Sequence, residues 1–414
     1  MSRIYDVFFG FSQIAVRGQL PDERQMFDNL LRQVKLADQL GFRTAWIGGA
    51  HLSLKEQHRS GEVPVLPHFE GEVCLNTDIL QLAHLLMAQT SRIEIGSALH
   101  SIVVNGGPIA HAEALRTFLT LKELSPASDR KLRLGFGSGR FSFVQEVYGL
   151  APRNPMEQVA WPVISSLLLR EASEIFVRLL NGEALASSDL PGQQLRKENF
   201  RSEEHWQAVL SAHGKETDAI DVPKFFKFNR SKLIPEDSPL ETLRLYLGST
   251  DLDTAARINQ FLPCRIFNLS TTSPESIDAT HQRMKQIYHD DGGPWKRQYM
   301  PRTVMIFVDA TAGLDRKQRN EKARGRAMEA LRAWQISMEG TIDENKLPQK
   351  LNNAVYGSPE DVAQKIEQLF RPEDTLMLWF DFNNHDSEDV ERNMATFAEH
   401  VLPLLDTKVA TDEE

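Results

Sequence analysis

Ile93-Glu94-Ile95-Gly96-Ser97-Ala98-Leu99 is followed, beyond Pro108, by helical spacing over residues 109–124 and then by Leu132-Arg133-Leu134-Gly135-Phe136-Gly137-Ser138-Gly139-Arg140. This is a strand-helix-strand unit. Both strand runs are largely apolar, as expected of parallel strands covered on both faces, and the helix supplies the crossover that parallel neighbours need. The second strand ends on Gly137 and Gly139, with Arg140 directly after them. Backbone without a Cβ lets a flat or anionic ligand approach closely, and the carboxyl ends of parallel strands are where such ligands sit. The same glycines also serve simply to end a strand, and both readings stand at this point.

Working outward, the same alternation recurs. Residues 5–12 read as a strand and residues 27–37 as a helix stopped by Gly41. Thr44-Ala45-Trp46-Ile47 is a buried-type strand ending on Gly48-Gly49, and Asn76-Thr77-Asp78 caps the helix that precedes the central unit. After Arg140 comes a long helix over 156–180. Strand runs follow at 243–247, 265–269, 303–308 and 375–382, with a well-formed helix start at Ser358-Pro359-Glu360-Asp361 and a closing helix over 390–405. About eight strand-helix alternations without a change of composition favour a (β/α)8 TIM barrel over a doubly wound sheet. The expected organisation is one barrel domain over 1–406 and a flexible acidic tail over 407–414. Residues 183–239, polar and broken by prolines, form a large insertion expected to act as a lid or substrate-pocket wall.

Composition limits what the barrel does. The chain has 414 residues, 41% of them hydrophobic and 25% charged, which is enough for a large core and a buried site. A net charge of −10 supplies no global basic field, so nucleic acid is not an expected partner and an anionic ligand must be met by local groups. Cys74 and Cys264 are far apart and outside any metal-ligand spacing, which points to a reducing compartment and no disulfide framework, and no ligand constellation supports a metal. The N-terminal residues carry no signal pattern, and runs such as 163–169 fall short of the roughly 20 apolar residues a membrane span needs. The expectation is a cytoplasmic protein.

Three stretches resemble the luciferase-like flavin monooxygenases: Leu36-Ala37-Asp38-Gln39-Leu40-Gly41-Phe42-Arg43-Thr44-Ala45-Trp46, residues 92–139, and Tyr356-Gly357-Ser358-Pro359-Glu360-Asp361-Val362-Ala363, with residues 397–405 like the terminal helix. The resemblance implies a barrel that binds FMN at the carboxyl ends of its strands, supplied already reduced by a separate NAD(P)H-dependent flavin reductase, and that oxidises a small organic substrate with O2. It also implies a possible homodimer. Two alternatives belong to the same resemblance: a deazaflavin-dependent oxidoreductase that transfers hydride, and a non-catalytic flavin-binding subunit.

The site residues are carried over on this basis. His51 is the catalytic candidate, as an acid/base or hydrogen-bonding group; the family often has two histidines there, and this chain has Ala50-His51. Where luciferase has a cysteine and then an arginine after the fourth strand, this chain has Gly137 and Ser138, with its arginine at Arg140. Gly137, Ser138, Gly139 and Arg140 are expected to contact the cofactor. So are Ser97 and Ala98, at a strand end where the family commonly has a cis peptide, here Ala98–Leu99. Ser249 and Thr250 stand before a helix, where they suit the flavin phosphate, although a plain helix cap by Asp251 or Thr250 explains the same residues. Trp379 and the Phe380-Asp381-Phe382 run suit either a ring pocket or the core. His58 and His68 read as loop residues. The substrate-selecting loops are expected at 52–73 and 183–239.

Overall fold

The computed structural model describes residues 3–16, 18–60, 65–249, 251–268, 272–337 and 354–405. Its strands are β1 (Ile4–Phe9), β2 (Thr44–Ile47), β3 (Glu94–Ser101), β4 (Leu132–Gly137), β5 (Gln193–Leu195), β6 (Ile220–Val222), β7 (Leu243–Leu247), β8 (Cys264–Ile266), β9 (Arg302–Val308), β10 (Ala354–Gly357) and β11 (Thr375–Trp379). β5 and β6 pair with each other; the rest make a parallel sheet in the order β10-β9-β11-β1-β2-β3-β4-β7-β8. The sheet closes where Asn268, just past β8, bridges to Arg302 at the start of β9. Among the described residues eight strands therefore complete the expected (β/α)8 barrel, and β10 runs beside the second half of β9 as an addition.

Local chemistry explains why these segments take these places. Asp38, near the end of the helix Glu23–Gln39, accepts hydrogen bonds from the backbone N–H groups of Ser91, Arg92 and Ile93 at 2.7–2.8 Å, which fixes the entry to β3. Those three donors hold the carboxyl below its usual range against the opposing effect of burial. Ser358 caps the helix Pro359–Leu369 as its sequence predicts. Strand β11 ends at Trp379, three residues short of the apolar run. Phe380 and Phe382 are core residues of the following loop, which turns at Asn383 with φ +48°.

Charge, not only branched apolar side chains, fills the amino-terminal half of the barrel. Asp6 is fully buried and receives Arg43 at 3.0 Å through two nitrogens and Trp46 Nε1 at 2.8 Å. Arg133, also fully buried, pairs with Glu94 and donates to the Tyr246 hydroxyl at 2.8 Å, which Arg265 reaches at 3.0 Å. Gly96 makes room for this layer, since a Cβ there would lie 2.6 Å from the Trp46 ring. With the bottom of the barrel filled, the open space lies at the carboxyl ends of the strands.

The segment 183–239 is more ordered than its composition suggests. It carries the β5/β6 pair and the helix Glu203–His213, and buries Leu195, Trp206, Val209, Leu210 and Ile220 against the first half of the helix Pro155–Leu180, at Met156, Ala160 and Ile164. Glu171 pins it by accepting from the N–H groups of Phe225 and Phe226, both at 2.9 Å. Leu185, Leu190 and Leu233 join the main core. The acidic tail lies outside the described residues.

Candidate functional site

A cavity of about 570 Å³ opens at the carboxyl ends of the barrel strands, within the size range of small-molecule sites. It is built from the residues that follow each strand: Gly10–Ser12 after β1, Gly48–His51 after β2, the end of β3 through Ser101, Gly137–Phe141 after β4, Gly248 after β7, and Asp381 and Asn383–His385 after β11. His51, Ser97, Ala98, Gly137, Ser138, Gly139 and Arg140, all expected at the site, line it together. Ser249 does not line it, and Thr250 lies outside the described residues. None of the lining residues comes from 183–239.

The Ala98–Leu99 peptide is cis, in the position implied by the resemblance. The Leu99 side chain fills a hollow made by glycines: a Cβ on Gly248 would fall 2.0 Å from Leu99 Cδ1, and one on Gly135 2.8 Å from Cδ2. Gly137 differs, because a Cβ there would meet only ordinary contacts at 3.6 and 3.7 Å. Gly139 sits at φ +84°, against Ser101. The Ser97 hydroxyl donates to the Gly135 carbonyl at 2.7 Å, whereas the buried Ser101 hydroxyl has no protein partner among the described residues.

The phosphate locus expected at Ser249 and Thr250 has a competitor within the chain. The Asp251 carboxylate accepts from the N–H groups of Asp253 and Thr254 at 3.0 and 3.3 Å and from Arg170 at 2.9 Å, while Ser249 Oγ accepts from the Asp251 N–H. The helix Leu252–Ile258 is thus capped by its own carboxylate, the plainer of the two sequence readings. An anion placed there would meet a negative charge. Among the described residues lining the cavity, Arg140 is the cation; its guanidinium lies 5.3 Å from the Phe141 ring centroid, and its charge opposes the burial that raises the Cys74 thiol pKa.

Two titratable groups in the lining, Asp381 and His100, escaped the sequence reading or were read differently, as did His111, which His100 contacts. Asp381 accepts from the Gly10 N–H at 3.3 Å, and burial pushes its carboxyl up to about 7 against the help of backbone donors at Gly10 and Phe11. It belongs to a run read as strand, and its loop position would have been signalled only by knowing that β11 stops at Trp379. His100, after the cis bond, lies 2.9 Å through Nε2 from His111 Nδ1, and His111 Nε2 is 2.8 Å from the Val104 carbonyl. Burial lowers the pKa of His51, and lowers His111 and, still further, His100; around neutral pH these imidazoles are uncharged. Trp379 faces the cavity while Phe380 and Phe382 are core. His58 stands in the short helix Leu54–Arg59, and neither it nor His68 lines the cavity.

Among the described residues no cluster of three or more potential ligands is placed to hold a metal ion, and no helix is long and apolar enough to cross a membrane.

No curated protein matches the chain. The chain shares its fold with monooxygenase RslO1 from Streptomyces bottropensis, at TM-score 0.65 and 16% identity over 97% of this chain and 99% of that one. It is similar to an F420-dependent secondary alcohol dehydrogenase in complex with an F420-acetone adduct, at 0.59 and 13% over 98% and 100%. It is also similar to the oxygenating constituent of 3,6-diketocamphane monooxygenase, a type II Baeyer-Villiger enzyme from Pseudomonas putida in complex with FMN, at 0.54 and 14% over 97% and 99%. Residues 7–202, which run from within β1 through β4 and hold the loops that build most of the cavity, match the luciferase-like monooxygenase family model.

Proposed function

We propose that the protein is a monooxygenase that binds reduced FMN, delivered by a separate NAD(P)H-dependent flavin reductase, and uses O2 to oxidise a small organic substrate. The observation that carries this reading is the cavity lining: backbone at Gly48, Gly49, Gly137 and Gly139, a buried Ser101 hydroxyl without a protein partner among the described residues, and Arg140 in the same wall. A flat ring suits a wall without Cβ atoms, an unpaired hydroxyl suits a ring heteroatom, and a guanidinium suits a phosphate. Bound reduced flavin would supply the electrons that activate oxygen. The chain would hold the ring against the glycines, meet the phosphate with Arg140 rather than Ser249, and keep water out with Phe8, Leu99, Phe141 and Trp379. His51, an uncharged imidazole at neutral pH, would accept or relay a proton at the reacting groups.

Anaerobic titration of the full chain with reduced FMN, riboflavin and F420 tests this. FMN binding more tightly than riboflavin, followed by oxygen-dependent substrate turnover, is the expected result. Tight binding of F420 with none of FMN would transfer the protein to the hydride-transferring branch. Flavin binding without turnover across aldehydes, ketones and phenols would leave a non-catalytic flavin carrier.

A further inference from the structure

The two histidines that the flavin reading leaves unused form a directed chain. A carbonyl oxygen only accepts hydrogen bonds, so His111 Nε2, 2.8 Å from Val104 O, carries the hydrogen. In a neutral imidazole the other nitrogen is then bare, so His111 Nδ1 is the acceptor of the 2.9 Å contact and His100 Nε2 is its donor. It follows that the other nitrogen, Nδ1, of His100, a residue that lines the cavity, is bare as well. One backbone carbonyl thus sets two tautomers and presents a hydrogen-bond acceptor to the site. The rings stand edge to face at 89° with centroids 4.4 Å apart, and His111 is buried in the first turns of the helix Gly107–Glu123, so the pair has little room to turn. Burial, reinforced by the neighbouring His111 and His51, favours the uncharged His100 that this arrangement requires.

We propose that His100 Nδ1 is a second proton acceptor of this cavity, beside His51 and aimed at the substrate, with His111 as its positioning residue, and that the cavity therefore takes a substrate presenting an acidic hydroxyl, a phenol or enol, rather than one presenting only a carbonyl. In the proton transfer the substrate O–H bond breaks, an N–H bond forms at Nδ1, and the electron pair stays on the substrate oxygen. The conjugate acid keeps its bond from Nε2 to His111, so no rearrangement accompanies the transfer. Because burial weakens His100 as a base, the proton moves to it as the carbon–oxygen bond forms rather than beforehand, and the electron pair released from the O–H bond enriches the carbon that is attacked. This inference deepens the flavin reading and rests on it for the oxidation, but the binding and tautomer claims need no cofactor.

The test uses the full-length chain. Side-chain ¹⁵N spectra of histidine-labelled protein at neutral pH, assigned with His100→Ala and His111→Ala, should give both residues as Nε2–H tautomers with bare Nδ1. Calorimetry with phenol and its methyl ether, anisole, should then show phenol binding more tightly by about five-fold, the ordinary net worth of one hydrogen bond. His100→Ala should abolish the difference. His111→Ala should reduce it, and His111→Asn, which keeps an acceptor near the Nδ1 position, should restore part of it; a merely structural role for His111 would not follow that order. An Nδ1–H tautomer at His100, equal affinity for the two probes, or binding of neither would overturn the proposal. If phenol is preferred while reduced FMN fails to bind, the flavin reading falls and this one stands.

Discussion

Replacing Gly248 by Ala isolates the packing that shapes the cavity floor. The new Cβ would lie 2.0 Å from Leu99 Cδ1, 3.0 Å from Cδ2 and 3.1 Å from Cγ. Leu99 has no free retreat toward the barrel wall, because its Cδ2 already occupies the hollow of Gly135. Overpacking of this kind costs about 1–3 kcal/mol. All three conflicting atoms belong to the part of Leu99 that a Leu99→Ala change deletes. In that background Gly248→Ala should therefore cost almost nothing, and the coupling in a double-mutant cycle should equal the whole single-mutant cost, about 1–3 kcal/mol. Gly137→Ala is the control. Its nearest neighbours would be at 3.6 and 3.7 Å and its φ is not in the left-handed region, so its stability should stay within about 0.5 kcal/mol of the parent. Its Cβ would nevertheless enter the cavity, so reduced-FMN affinity should fall. Guanidinium unfolding of the four proteins of the cycle and of Gly137→Ala reads the first claim, and anaerobic titration reads the second. The same cost for Gly248→Ala in both backgrounds would refute the packing argument; a Gly137→Ala protein with parental affinity would remove the ring from that wall.

Other predictions follow from charged groups. Asp374, 1% exposed, receives Arg297 at 2.6 Å and Arg302 at 3.2 Å, so Asp374→Ala should lose about 3–5 kcal/mol, and a loss below about 1 kcal/mol in chemical unfolding would show the pairs to be dispensable. Asp381 holds its proton in the folded state up to about pH 7, whereas an unfolded Asp releases it near pH 4. The stability it contributes is therefore present at low pH and lost as pH rises through 7. Asp381→Asn should accordingly raise the melting temperature relative to the parent more at pH 8 than at pH 5, and equal differences at both would contradict the assignment. Arg140→Ala should narrow the preference for FMN over riboflavin, while Ser249→Ala should leave it unchanged; the reverse order would return the phosphate to the β7 loop. His51→Ala should retain reduced-FMN affinity and lose about 10²–10⁴ in turnover. Since burial lowers the His51 pKa, the parent should lose activity as pH falls below the ordinary histidine range, and wild-type turnover in the variant would move the chemistry elsewhere.

How much of this was legible in the sequence depended on whether the information was local. Parallel barrel strands are buried on both faces, so Thr44–Ile47 and Leu132–Gly137 stand out as short apolar runs closed by glycine, and helices of the barrel carry their own caps at Asp78 and Ser358. The run at 375–382 misled because an apolar string does not distinguish a strand from a buried loop; only the left-handed turn at Asn383 does, and any chain can hide that in an ordinary Asn. Ser249-Thr250-Asp251 fits an anion site and a capped helix equally well in one dimension. The carboxylate caps the helix because it is tethered two and three residues from the amides it satisfies, whereas a ligand must arrive from solution.

The histidine pair was out of reach for a different reason. His100 ends a strand and His111 lies in a helix, eleven residues on, so neither the two-residue period nor the 3.6-residue period brings them together. What does is the intervening turn, where Gly106 and Gly107 take φ +96° and +72° in succession and bend the helix start back over the strand end. At Gly107 a side chain would also press on Phe226, at 3.0 Å, so the turn is held from the insertion side as well. A Cβ at either glycine would strain this turn and move His111 relative to His100. Gly106→Ala should thus alter the histidine ¹⁵N signature without touching any atom of the cavity, and an unchanged signature would mean that the helix, not the turn, fixes the pair.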